Sequence, residues 1–204
     1  MARGGAEVVD TPRVELQNVV ARRRMVRDFD DRPLSPEVVD RIIANALRSP
    51  SAGFTQGTEL LVLEGPLETA RYWDACLPSS QRASFRWQGL LRAPLLVVPL
   101  AHEQAYVDRY SEPDKGGMRW SVPYWYVDAS FSAMLALLTA VDAGLGALFF
   151  TVAEPEAFRS AFDIPASYVP IGTIAIGCPR PHEPSPSLAR GRRPTREVVH
   201  RGRW

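Results

Sequence analysis

Four arginines fall within six positions in Arg22-Arg23-Arg24-Met25-Val26-Arg27. A planar guanidinium presents paired N–H donors that match the fixed oxygens of a phosphate or carboxylate. The whole chain is nearly neutral, at +1 from 24 basic and 23 acidic residues among 204. The local excess therefore points to a local anion rather than to a long polyanion such as nucleic acid. A second cluster, Arg190-Gly191-Arg192-Arg193-Pro194, lies near the other end and can close on the same anion. Taken alone, the first cluster also fits a solvated basic helix end or a nucleic-acid patch.

Other chemistries lack their residues. His102, His182 and His200 have no metal spacing among themselves or with carboxylates, and they read as loop or surface positions. Cys76 and Cys178 form no paired motif, so neither a disulfide framework nor a zinc site is suggested. No Ser, Cys or Thr nucleophile sits in an elbow or triad setting. Gly144-Leu145-Gly146 follows a helix and lacks the third glycine of a dinucleotide fingerprint, so it reads as a helix stop. Asp128 and Asp142 stand fourteen residues apart at the ends of one apolar stretch, too far for a carboxylate dyad; Asp128 is expected to cap that helix. What remains is arginine at both ends, a small-residue loop and a central aromatic loop. Such a set suits a flat, aromatic, phosphorylated cofactor whose own ring does the chemistry, with no catalytic side chain required.

The elements that must position these residues follow from the hydrophobic pattern. At 46% hydrophobic and 23% charged, the chain can bury a core, and its length suits one domain over 11–204 after a disordered lead at 1–10. The N-terminal stretch has no apolar h-region. The apolar run Ala129–Val141 is too short to span a bilayer. The chain thus reads as cytoplasmic, with no membrane and no nucleic-acid partner. A helix capped by Thr11 with Pro12 in its first turn should end at the arginines. Ser35-Pro36-Glu37 starts a second helix with a capping hydroxyl, and Val38, Val39, Ile42, Ile43, Ala46 and Leu47 give it one apolar face as far as Ser49-Pro50. Strands are expected at 59–64, at 93–100 (buried on both faces), at 147–150 and as one run over 168–177. An irregular helical stretch with Trp73, Phe85 and Trp87 covers 67–90, and residues 102–126 read as a long aromatic loop. The helix from Asp128 to Ala143 is apolar nearly all round, so it belongs inside the domain or across a subunit interface. A short helix follows at 154–162, and a Pro- and Arg-rich tail occupies 178–204. Helices alternating with strands indicate an α+β fold around one central sheet.

Several segments, in order, resemble the nitroreductase family of FMN-dependent reductases. Arg23-Arg24-Met25-Val26-Arg27-Asp28-Phe29 is similar to that family's Arg-Arg-Ser-Val-Arg-x-Phe opening. Ser49-Pro50-Ser51-Ala52-Gly53-Phe54-Thr55-Gln56 is similar to its Pro-Ser-Ser/Ala-x-Asn-x-Gln loop. Asp128 with the apolar helix and Gly144-Leu145-Gly146 resembles its central helix and turn, and Ile171–Pro179 its last strand. Arg190-Gly191-Arg192-Arg193-Pro194 with Glu197-Val198-Val199 resembles its C-terminal motif. The resemblance implies a mostly antiparallel sheet flanked by helices, in two chains that interlock as a homodimer through an exchanged C-terminal tail. It implies FMN at each of two interfaces. Arg23, Arg24, Arg27, Arg190, Arg192 and Arg193 would hold the phosphate, and Met25 would lie beside them. Pro50, Ser51, Ala52, Phe54 and Gln56 would reach the flavin from the partner, and the Phe149-Phe150-Thr151 backbone would lie near its N5. The activity implied is hydride or electron transfer from NADH or NADPH to a small organic acceptor such as a nitroaromatic, a quinone or an activated alkene, by a ping-pong mechanism.

Three positions depart from the pattern: Met25 stands where a hydroxyl is usual, Phe54 where an asparagine is usual, and Gly57-Thr58 where Pro-Trp is common. The last is expected to loosen the loop exit. The Met25 and Phe54 departures leave room for a flavin-dependent oxidase or dehydrogenase of a biosynthetic pathway; a reading of a different class is a non-catalytic flavin or deazaflavin carrier or sensor. Trp120, Tyr124 and Trp125, with Arg119 beside them, are candidates for substrate contact, since clustered rings stack on planar ligands. The same rings would equally pack a dimer interface or cover the central helix.

Overall fold

The computed structural model describes residues 14–116 and 120–204. The expected lead over 1–10, the Thr11 and Pro12 helix start, and Arg119 lie outside them. The architecture is built around β2 (Leu95–His102), whose apolar side chains are all buried. Its alternation sends Leu96, Val98 and Leu100 to one face of the sheet and Leu95 and Val97 to the other, the pattern of a strand covered on both sides. β1 (Thr58–Glu64) runs antiparallel along one edge of β2. Along the other edge lie β4 (Tyr168–Pro170) and β5 (Thr173–Gly177), and β3 (Gly146–Phe150) closes the sheet outside β5. Every pairing between these strands is antiparallel. The single last strand expected over 168–177 is thus two. It breaks at Ile171–Gly172, opposite Pro99, where β2 has no amide to offer a continuous ladder. A side chain at Gly172 would also strike the Phe149 ring and the Phe150 carbonyl.

One face of the sheet is covered by α3 (Gly65–Cys76) and α7 (Pro155–Phe162), which bring Tyr72, Trp73, Cys76 and Phe158 onto Leu96, Val98, Leu148 and Ala175. The short α4 (Ser79–Arg82) and a 3-10 turn at Gln88–Arg92 complete the irregular stretch. The other face carries α2 (Pro36–Ala46) and α6 (Tyr124–Asp142). Val39, Ile42 and Ala46 of α2 meet Ala133, Ala136, Leu137 and Ala140 of α6 over Leu95, Val97, Ile174 and Ile176. Small alanines let α6 lie close to the sheet. The opposite side of α6 leaves Phe131 46% and Met134 47% exposed, and α1 (Val14–Arg22), which packs against α6, leaves Leu16 and Val20 exposed.

Three local expectations are corrected. Residues 102–126 are not one loop: Glu103–Ser111 form α5, and α6 begins at Tyr124 rather than Asp128. The signal in α5 is aromatic rather than aliphatic, since its one buried side chain is Tyr106. Ser35 does not cap α2 through its hydroxyl; its carbonyl accepts the Val38 and Val39 amides. The Glu37 carboxyl is held below its usual range by its own backbone amide and by the Ser35 hydroxyl. Asp128 is no cap either, because it lies one turn inside α6 and is buried.

Candidate functional site

The arginine segment leaves α1 at Arg22 and runs beside β3. Met25 bridges Ala147, the Val26 amide donates to the Ala147 carbonyl at 3.0 Å, and the Phe29 amide donates to Gly89 at 3.1 Å. Val26 and Phe29 bury their side chains, which turns the flanking arginines outward. Two glycines permit this close approach. A Cβ on Gly146 would stand 2.8 Å from Val26, and one on Gly89 would stand 2.7 Å from the Asp28 backbone. The tail returns over the same segment: the Asp30 amide donates to Cys178, and the Arg180 amide to Asp28, both at 2.9 Å.

Between them lies a cavity of about 910 Å³ lined by Arg23, Arg24, Met25 and Arg27 from one end of the chain and by His182 and Arg192 from the other. Among the described residues none of these four arginines is paired with a carboxylate. By contrast Arg32, Arg82, Arg92, Arg109, Arg159 and Arg193 are all so paired. Arg24 and Arg27 rest one Nη1 each on backbone carbonyls of Ala21 and Met25, and the buried Nη1 of Arg23 has no hydrogen-bond partner among the described residues. A buried guanidinium nitrogen left without an acceptor is costly unless an anion completes it. The donor set therefore fits a phosphate.

Arg27 also lines a smaller cleft of about 310 Å³ with Trp73, Phe85, Trp87, Phe149, Phe150 and Thr151. Trp73 stacks on Phe150 with ring planes 7° apart and centroids 5.8 Å apart. Two guanidiniums stand over the Trp87 ring, Arg27 at 5.2 Å and Arg86 at 4.6 Å from its centre. Cys76 lines this cleft as well, and burial pushes its thiol up to about 11, so it stays a neutral thiol rather than a nucleophile. The arrangement is cationic at one end and aromatic at the other, with Arg27 common to both.

The remaining candidates are placed elsewhere. Arg190 is exposed and lines neither space, and Arg193 is turned to Glu197, donating to its carbonyl at 3.1 Å. Pro50, Ser51, Ala52, Phe54 and Gln56 also stand outside both, on a loop whose Phe54 is 78% exposed. The exit of that loop is tight, not loose as expected. Tyr106 covers Gly57 so closely that any side chain there would strike its ring, and the Gly57 carbonyl accepts the His102 amide at 3.0 Å. Trp120 and Trp125 pack edge-on at 5.9 Å and continue onto Tyr110 and Tyr106 of α5. Their place is thus in the packing of α5 on α6, while Tyr124 is half-buried in the first turn of α6. His182 was not among the sequence candidates for this cavity. His182 read as a loop residue and is one, but the returning tail sets it in the arginine cavity.

A model of the nitroreductase family matches residues 20–178. The chain belongs to the nitroreductase family. It is 26% identical to the 5,6-dimethylbenzimidazole synthase of Rhodospirillum rubrum, a match covering 82% of this chain and 83% of that protein. Two solved nitroreductases share its fold. Nitroreductase A of Vibrio parahaemolyticus superposes with a TM-score of 0.71 at 15% identity, over 93% of this chain and 77% of that one. The FMN-dependent nitroreductase of Clostridium difficile superposes with a TM-score of 0.65 at 20% identity, over 91% and 98%. The antiparallel sheet flanked by helices is thus the nitroreductase fold, an oxidoreductase scaffold.

Proposed function

We propose that this nitroreductase-family chain is an FMN-dependent oxidoreductase that passes reducing equivalents from NADH or NADPH to a small organic acceptor. The observation that carries this reading is the position of Arg27, shared by a cationic cavity and an aromatic cleft. That continuity matches a cofactor with a phosphate at one end and a planar ring at the other. FMN, when bound, supplies the hydride and electron chemistry. Arg23, Arg24, Arg27 and Arg192 would hold its phosphate, whose charge of about −1.5 to −2 rewards several cationic forks. The Phe149-Phe150-Thr151 end of β3 would flank its ring, with Trp73 and Trp87 excluding water on that side. Arg190 and Arg193 would have only a peripheral part.

The 50–56 loop stands outside both spaces in its own chain, which supports its completing the site of a second copy in a homodimer. The exposed side of α6 with Leu16 and Val20 is the surface that such a dimer would cover. The test is the visible spectrum of the purified protein with identification of the released ligand. About one FMN per chain is expected, and a colourless protein that takes up no added FMN overturns the reading. A second reading, a flavin enzyme of a biosynthetic pathway, is supported by the similarity to the Rhodospirillum synthase and by apolar Met25 and Phe54 at usually polar positions. NAD(P)H consumption that proceeds fully with oxygen as sole acceptor favours it; dependence on an added nitroaromatic or quinone favours the first.

A further inference from the structure

The loop between α2 and β1 carries a concentration of backbone strain. Gly53, Phe54 and Gln56 have φ of 63°, 54° and 56°, and only the first is a glycine. Left-handed backbone at two residues with side chains is unfavourable and persists only where the surroundings impose it. Several contacts impose it here. The buried Oδ2 of Asp128 accepts both the Ala52 amide and the Tyr106 hydroxyl at 2.7 Å. The Ser51 hydroxyl accepts the Gln56 amide at 2.8 Å, and Arg109 Nε donates to the Gly53 carbonyl at 3.0 Å. Arg109 is itself fixed by a two-pronged pair with Asp114 at 2.7 and 2.8 Å. The product of this anchoring is an outward-facing Phe54 on a backbone that would otherwise relax.

We propose that Asp128 is the positioning residue of the flavin site: through the Ala52 amide, and with Tyr106 fixing its carboxylate, it sets the 51–56 loop in the strained shape that presents Phe54 to the flavin ring of a second copy in the proposed dimer. The assignment rests on the proposed function and names a residue that touches neither cofactor nor substrate. Because one oxygen accepts both bonds, the device needs an acceptor at that point and not a charge. Asp128→Asn can supply that oxygen, Asp128→Ala cannot, and Tyr106→Phe removes one donor without altering α6.

The experiment is amide hydrogen–deuterium exchange of residues 51–56 in the flavin-free protein, paired with FMN titration of the same variants. Asp128→Ala and Tyr106→Phe are expected to speed exchange in the loop and to weaken FMN binding by about tenfold, the upper range for the loss of one hydrogen bond. Asp128→Asn should retain wild-type exchange and affinity to within about threefold. Unchanged exchange in both Asp128→Ala and Tyr106→Phe overturns the proposal. So does an Asn variant as impaired as the Ala variant, since charge and not position would then be what matters. If Asp128→Ala fails to fold, Tyr106→Phe decides the question by the same two readouts. Wild-type protein that binds no FMN overturns the proposed function instead, and the exchange data still decide whether Asp128 sets the loop.

Discussion

At the scale of single residues, the cavity arginines have no carboxylate partner among the described residues. Arg92 is tied to Asp28 at 2.6 Å and Arg109 to Asp114, whereas Arg23 keeps a buried nitrogen without an acceptor among the described residues. Arg23→Ala and Arg192→Ala should therefore each weaken FMN binding by about ten- to a hundredfold, measured by fluorescence titration, and leave the far-ultraviolet spectrum unchanged. Arg190→Ala should leave the affinity within about threefold. Tyr106 supplies a pH dependence. Burial, reinforced by the bond to Asp128, pushes its hydroxyl up to about 12 from an ordinary 10.0. A raised folded-state value means that the hydroxyl's contribution to stability is complete below pH 10 and is lost as pH rises toward 12. The stability difference between wild type and Tyr106→Phe should hence be flat up to pH 10 and shrink above it, as urea unfolding at a series of pH values will show. Residue types and spacing drew attention to Arg23, Arg27 and Arg192, which the fold brings to one cavity. They could not show where Asp128 and His182 sit, which depends on a bond to Ala52, 76 residues away, and on a tail folded back over the arginine segment.

At the scale of elements, periodicity carried most of the architecture. β2 is legible as a uniformly apolar run, α2 as a one-sided helix, and the end of α6 as a glycine turn, because each depends on local pattern alone. α5 was not legible, since a helix anchored by one buried tyrosine among polar neighbours has no aliphatic stripe. The start of α6 was obscured in the same way, its first turn being aromatic. The elements also act on the site through contact with β3. Gly146→Ala should push Val26 away from β3 and carry Arg27 with it, lowering FMN affinity more than thermal stability; equal losses in both would show that the strand and the arginine segment are not coupled in this way. Phe29, wholly buried between Gly89 and the returning tail, fixes the far end of that segment. Phe29→Ala should cost about 3–5 kcal/mol in chemical denaturation, the cavity left by a buried aromatic ring.

At the scale of the molecule, the exposed apolar side of α6 has a direct test. Phe131→Glu with Met134→Glu should convert a dimer in sedimentation equilibrium to a single-chain species, and the paired variant should lose flavin together with its partner's 51–56 loop. A wild-type protein that sediments as one chain overturns the proposed dimer and the proposed completion of the site in trans. The composition could show that α6 was too apolar for a solvent-facing helix, but not which of its sides meets the sheet. That follows from its alanines only once the sheet is in place.

The two walls of the arginine cavity are 165 residues apart in sequence, Arg27 near the beginning and Arg192 near the end. A phosphate bound between them is a clasp that joins the two ends of the polypeptide. The tail beyond Glu183 is nearly all exposed and has little of its own to keep it in place. Occupancy should then be readable from the C-terminus: trypsin should cut rapidly at Arg190, Arg192 and Arg196 in the flavin-free protein and slowly in the loaded one. The melting temperature should climb with free FMN well beyond saturation, as mass action requires of a ligand held only by the folded state.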